Sequence, residues 1–104
     1  MLNISLAGQV GIVTDAGSAY GIGRSMVLAA AAAGATAICA CDLNLGYIDD
    51  MKQEVASAGR NCIVEGSFLD VSSEEQTIAL LKEVIQKYGR LDFFFANAGY
   101  GLYR

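Results

Sequence analysis

Histidine and proline are both absent from this 104-residue chain. Without histidine, the chain lacks the commonest metal ligand and the side chain most often used as a general base near neutral pH. The three cysteines, Cys39, Cys41 and Cys62, are an odd number with no metal-ligand spacing. That pattern argues against a disulfide framework and against a zinc site. Cys39 and Cys41 stand two apart in an expected strand and so point to one face, where they read as small buried apolar residues. Charge is scarce at 17%, the net charge is −4, and the seven Lys and Arg residues are scattered. This excludes a broad nucleic-acid footprint. The opening "MLNISLAGQV" has neither a basic region nor a long apolar core, so it is not read as a secretory signal. Asn3-Ile4-Ser5 is then an accidental match to a glycosylation acceptor. Met26 to Cys41 carries no charge, but it is Ala-rich, broken at Gly34 and too short for a membrane span. These absences set the expectation of a soluble, cytoplasmic protein without a nucleic-acid or membrane partner.

What the chain does have is apolar sequence, 54% of its residues, enough for one small folded domain. "VGIVT", Val10 to Thr14, reads as a buried strand ending at a glycine-rich loop. Ile22 to Ala33 reads as a helix stopped by Gly34. "ATAICACD", Ala35 to Asp42, is a second strand ending in an acid. Leu45, Ile48, Met51 or Lys52, and Val55 recur at helical spacing behind early acids, and Gly59 ends that helix. "NCIVEG" is a third strand. Ser72 with Glu75 and Ser73 with Gln76 are two overlapping capping boxes. They open a helix expected to bury Ile78, Leu81, Ile85 and Tyr88 and to close at Gly89. "LDFFFAN" is a fourth strand, apolar on both faces. Strands apolar on both faces, alternating with amphipathic helices, predict a doubly wound α/β fold around a parallel sheet of order 3-2-1-4.

Ligands bind such sheets at the carboxyl ends of the strands. There Gly17, Gly21 and Gly23 keep a G-x-x-x-G-x-G spacing. A turn this tight needs backbone angles cheap only for glycine, and a phosphate needs bare N–H groups at a helix start. On its own the spacing is equally a tight turn. Asp42 ends the second strand 19 residues after Gly23, where an acid can meet ribose hydroxyls. Its alternative role is to cap the following helix.

"VTDAGSAYGIGRS", "CDLN", "LDVSS" and "GRLDFFFANAG", in this order and each at a strand end, resemble the N-terminal half of a short-chain dehydrogenase/reductase. The resemblance covers essentially the whole chain and implies a Rossmann-type domain over residues 1–104, cut after its fourth strand, from an NAD(P)-dependent oxidoreductase. It implies that Thr14, Gly17, Tyr20, Gly21, Ile22 and Gly23 line the pyrophosphate side. Asp42 and Leu43 would meet the ribose, Asp70 and Val71 the adenine, and Asn97, Ala98 and Gly99 the cofactor at the fourth strand. Asp42 is followed by Leu43 rather than a basic residue, so NAD is expected over NADP. Two departures stand out. The family's glycine after the strand threonine is Asp15 here, in a loop two residues longer than the family pattern, aligned either with Ala19-Tyr20 as an insertion or with Gly17 as the first motif glycine, and Ala96 replaces the first Asn of N-N-A-G. An acid within about 5 Å of a phosphate would cost on the order of 1–3 kcal/mol, which Arg24 could partly offset.

The family's catalytic Ser and Tyr-x-x-x-Lys have no counterpart here. Tyr20 with Arg24 and Tyr100 with Arg104 have related spacing in the wrong place, and Arg does not replace Lys. No catalytic residue is therefore assigned, and substrate binding and any homo-oligomer belong to a longer parent. Two other readings share the glycine loop. One is an S-adenosylmethionine-binding methyltransferase-like domain, disfavoured by Thr14, Asp70-Val71 and Asn97-Ala98-Gly99. The other is a non-enzymatic cofactor-binding or regulatory module.

Overall fold

A computed structural model describes residues 5–18 and 21–96. Strands β1 (Val10–Thr14), β2 (Ala37–Asp42), β3 (Ile63–Phe68) and β4 (Phe93–Phe95) alternate with helices α1 (Ile22–Ala32), α2 (Ile48–Ser57) and α3 (Glu74–Tyr88). Every strand pairing is parallel, in the order β3-β2-β1-β4. This is the expected Rossmann-type α/β arrangement, and it brings all the strand ends to one edge.

Two apolar layers hold the sheet. Val13, Ile38, Ala40 and Val64 pack with Val27 and Ala30 of α1 and Ile48, Met51 and Val55 of α2. Val10, Ile12, Ala37, Cys39 and Cys41 pack on the other face with Leu80 and Val84 of α3. Alternate residues of β1 and β2 thus serve opposite layers, as the two-residue strand period requires. Gly11 of β1 lies opposite Phe93 of β4, and a side chain there would run into the Phe93 ring.

Several boundaries differ from expectation. α1 ends at Ala32, and Gly34 (φ 95°) turns the chain toward β2. α2 begins at Ile48, so Leu45 precedes it and is exposed, and of the pair Met51 or Lys52 it is Met51 that is buried. β3 starts two residues later than "NCIVEG", because its ladder with β2 opens at Ile63 opposite Ala37. β4 is only three residues long; ahead of it, the Asp92 carboxylate accepts from Val10 N–H while Asp92 N–H donates to Val10 C=O. α3 is rotated by about one residue, roughly 100°, from its expected face. Leu80 and Val84 are buried, Leu81 and Tyr88 lie at the boundary, and Ile78 and Ile85 are 44% and 49% exposed.

Candidate functional site

Three turns meet at the carboxyl ends of the strands. At the first, β1 closes with Thr14, buried at 1% exposure, whose hydroxyl reaches Phe95 C=O at 3.4 Å and ties the ends of β1 and β4. Asp15 then takes φ 54°, in the left-handed region. Ala16 is fully buried and donates its N–H to Cys41 C=O (3.0 Å), so the loop follows β2 before turning back to α1.

The three motif glycines do different work. A Cβ on Gly17 would lie 1.9 Å from Asn44 O and 2.7 Å from Asp42 Cβ, so bare backbone is what lets the loop close on the β2 turn. Gly21 (φ 111°, ψ 174°) is the N-cap of α1 in a conformation other residues avoid. It offers no side chain to the helix start, and the first turn of α1 holds no acid, so the leading N–H groups lack a side-chain cap. A Cβ on Gly23 would lie 2.3 Å from Asp15 O and 2.9 Å from Thr14 O. α1 therefore packs directly on the strand end, the close approach expected of that glycine. Ile22 stands exposed at the first helical position.

At the second turn, Asp42 is half-buried at the end of β2. One carboxylate oxygen accepts from Gly17 N–H (2.8 Å), and the other accepts from Leu43 N–H (2.7 Å) and, at 3.5 Å, from Asn44 N–H. The carboxylate thus joins the glycine loop to the β2 turn. It does not cap α2, whose N-cap is Tyr47. Leu43 beside it is exposed. At the third turn, Asp70 accepts from both the hydroxyl (2.6 Å) and the N–H (3.0 Å) of Ser72, which hold its carboxyl below the usual carboxylate range. Val71 is exposed next to it. Ser73, not Ser72, caps α3, with its hydroxyl accepting from Gln76 N–H at 3.2 Å. Gln76 closes no reciprocal box; its side chain accepts from Asp70 N–H at 3.0 Å.

Asp15, Asp42 and Asp70 make this edge acidic. Arg24, in the first turn of α1, is the cation expected to offset Asp15 in part, and its Nη2 is paired with Glu54 of α2 at 2.9 Å. Part of its charge is therefore spent between helices, a partner that local sequence does not reveal because the two residues stand 30 apart. Asn44 was also absent from the expected site. Its carbonyl packs on Gly17 and its side chain accepts from Gly46 N–H (2.9 Å), which the N-x-G spacing could have suggested. Of the expected residues, Thr14, Gly17, Gly21, Ile22, Gly23, Asp42, Leu43, Asp70 and Val71 belong to these three turns. Tyr20, Asn97, Ala98 and Gly99 lie outside the described residues.

Among the described residues no three His, Cys, Asp or Glu side chains group to hold a metal, and no helix is long and apolar enough to cross a membrane.

Comparison with known proteins agrees with this fold. Residues 9–103 match the family model for short chain dehydrogenase. The chain is 36% identical over 97 residues to 3beta-hydroxysteroid dehydrogenase 2 of Eggerthella lenta, covering 93% of this chain and 35% of that protein. An NAD+-bound xylitol dehydrogenase superposes with a TM-score of 0.76 at 34% identity, over 91% of this chain and 35% of that one. A metagenomic short-chain oxidoreductase in complex with NADP superposes with a TM-score of 0.80 at 28% identity, over 92% of this chain and 41% of that one. The chain thus spans about a third of the length of the curated relatives it matches.

Proposed function

The chain belongs to the short-chain dehydrogenase family, and from that premise we propose that it is the adenosine- and pyrophosphate-binding part of an NAD(P)-dependent oxidoreductase, with NAD preferred. The observation that carries the reading is the join between Gly17 and Asp42 beside a helix start without a side-chain cap. It brings a bare glycine backbone, a helix N-terminus and a strand-end carboxylate together, which are the groups that a phosphate and a vicinal diol need. Gly17, Gly21, Ile22 and Gly23 would face the pyrophosphate, with Thr14 and Tyr20 beside them. Asp42 and Leu43 would take the ribose, Asp70 and Val71 the adenine, and Asn97, Ala98 and Gly99 the cofactor at β4. The bound nicotinamide would supply hydride chemistry; this chain's residues bind and orient, and none is assigned to proton transfer.

The preference for NAD follows from charge. A 2′-phosphate would meet the Asp42 carboxylate with the apolar Leu43 next to it, and the nearby Arg24 is paired with Glu54. Carboxylate against phosphate is repulsive, while carboxylate with two hydroxyls is a charge-assisted hydrogen-bond pair. Calorimetric titration of NAD and NADP against the chain and its Asp42→Ala variant tests this. The expected result is tighter NAD binding, with the difference narrowed about tenfold or more in the variant, as loss of a charged hydrogen bond of about 1.5–3 kcal/mol implies. Equal or tighter NADP binding by the unmutated chain overturns the preference. Absence of binding by either cofactor overturns the assignment of the site.

A further inference from the structure

β3 is the outer strand of the sheet, and among the described residues no strand pairs on its far side. Ile63 N–H donates to Thr36 C=O (3.0 Å) and Leu69 N–H to Asp42 C=O (3.1 Å), both toward β2. Backbone groups of successive strand residues turn to opposite sides, so those of Val64, Gly66 and Phe68 face the open edge. The usual guards of such an edge are missing. β3 has no proline and no lysine, and its ladder with β2 runs without a bulge. Its one charge, Glu65, is held on the α3 side by Lys87 (2.5 Å) and Tyr88.

The strand has two distinct faces. Val64 joins the α1–α2 layer and Gly66 lies against Ile48 of α2, whereas Leu69 joins the α3 layer. By alternation Phe68 belongs to the first face, and Ile63, Glu65 and Ser67 to the second. Phe68 and Ile63 are 58% and 49% exposed. Ser67 and Phe68 border a hollow of about 270 Å³ against Gln76, Ala79, Leu80 and Glu83 of α3.

We propose that the open edge of β3 is a dimer interface, pairing antiparallel with β3 of a second copy about a two-fold axis at Gly66. An antiparallel pair exchanges both hydrogen bonds between residues whose backbone groups face each other. Centring on Gly66 does this for Val64 with the partner's Phe68, Gly66 with the partner's Gly66, and Phe68 with the partner's Val64. Every outward residue of the strand is then paired. Val64 against the partner's Phe68 sets a β-branched side chain against an aromatic one, a favourable cross-strand pair. Glu65 comes opposite the partner's Ser67, whose hydroxyl donates to the carboxylate. Ile63 comes opposite the partner's Leu69, at the hollow beside the partner's Ser67. Arg60, exposed ahead of the strand, comes level with the turn that holds the partner's Asp70, cation against carboxylate. Other registers are worse. Centring on Glu65 sets two carboxylates opposite each other, with Cα atoms about 4.5 Å apart. Centring on Val64 or Ser67 pairs outward residues with chain beyond the strand. The two-fold repeats each contact and closes the assembly at two copies, so anything larger uses other surfaces.

The test is residue-resolved hydrogen exchange of the 104-residue chain over a concentration series, with sedimentation equilibrium alongside. The expected result is a dimer in which the amides of Val64, Gly66 and Phe68 gain protection as concentration rises. Those of Ile63, Glu65 and Ser67, already turned to β2, stay unchanged. Ser67→Glu places a carboxylate opposite the partner's Glu65, twice per dimer, and is expected to weaken the dimer roughly tenfold. Ser67→Lys, similar in length and opposite in charge, is expected to keep or tighten it. If Ser67→Glu fails to fold by far-UV circular dichroism, the exchange pattern of the unmodified chain and the dimer constant of Ser67→Lys decide the matter. The proposal is overturned by a chain that stays monomeric throughout, by association that leaves the three outward amides exchanging as in the dilute chain, or by equal weakening in Ser67→Glu and Ser67→Lys.

Discussion

Asp15 adopts φ 54° where the family pattern has glycine. A side chain in that region costs roughly 1–2 kcal/mol, which Asp and Asn moderate through local hydrogen bonds. Asp15 thus holds a left-handed turn with a side chain in place. Asp15→Gly and Asp15→Ala both remove the carboxylate and differ only in how they tolerate φ. Urea denaturation is expected to find the glycine variant more stable by about 1 kcal/mol; equal midpoints would mean the turn relaxes in both. At this scale the sequence was informative where a constraint is local. Gly23 against the strand end and Gly21 at the helix start follow from spacing. The pairing of Gly17 N–H with Asp42 does not, because a backbone donor leaves no mark on the sequence and its partner is 25 residues away.

The elements were legible in kind and order, and less so at their edges and faces. α3 carries two overlapping apolar stripes, one through Leu80 and Val84 and one through Ile78, Leu81, Ile85 and Tyr88. Periodicity alone does not rank them. The first is buried because it meets Val10, Ile12 and the small residues Ala37 and Cys39 across the sheet, a tertiary fit. The start of α3 presented the same kind of choice. Two capping boxes were offered, and Ser73 caps the helix while Ser72 holds Asp70. Ser73→Ala is expected to cost about 1 kcal/mol of stability, the usual loss of an N-cap. Ser72→Ala should cost less, because it removes only an exposed contact to Asp70. Thermal or denaturant melts compare the two, and a larger loss in Ser72→Ala would show that the helix start depends on the Asp70 turn.

Across the whole molecule, the two layers are unequally covered. On one face, α1 and α2 bury Phe93 and Phe95 in part, with ring centroids 5.0 Å apart. On the other, Phe94 lies opposite Ile12 of the α3-side layer and is still 36% exposed. Ile78 and Ile85 are exposed on α3. β4 pairs with β1 on one side, and among the described residues no strand pairs on its other side. Exposed apolar side chains and an open strand edge each favour association of copies, since both the apolar surface and the ladder gain partners. Sedimentation velocity over a concentration series is therefore expected to show the unmodified chain self-associating. Ile78→Glu combined with Ile85→Lys should reduce association by placing charge on the flank. The melting temperature should change little, since exposed substitutions usually stay within about 0.5 kcal/mol. If the unmodified chain stays monomeric at every concentration, the flank is tolerated in water and the open edge of β4 does not recruit a second copy. If it associates and the double variant associates equally, the contact runs through the β4 edge alone, where Phe94→Lys is the substitution expected to break it.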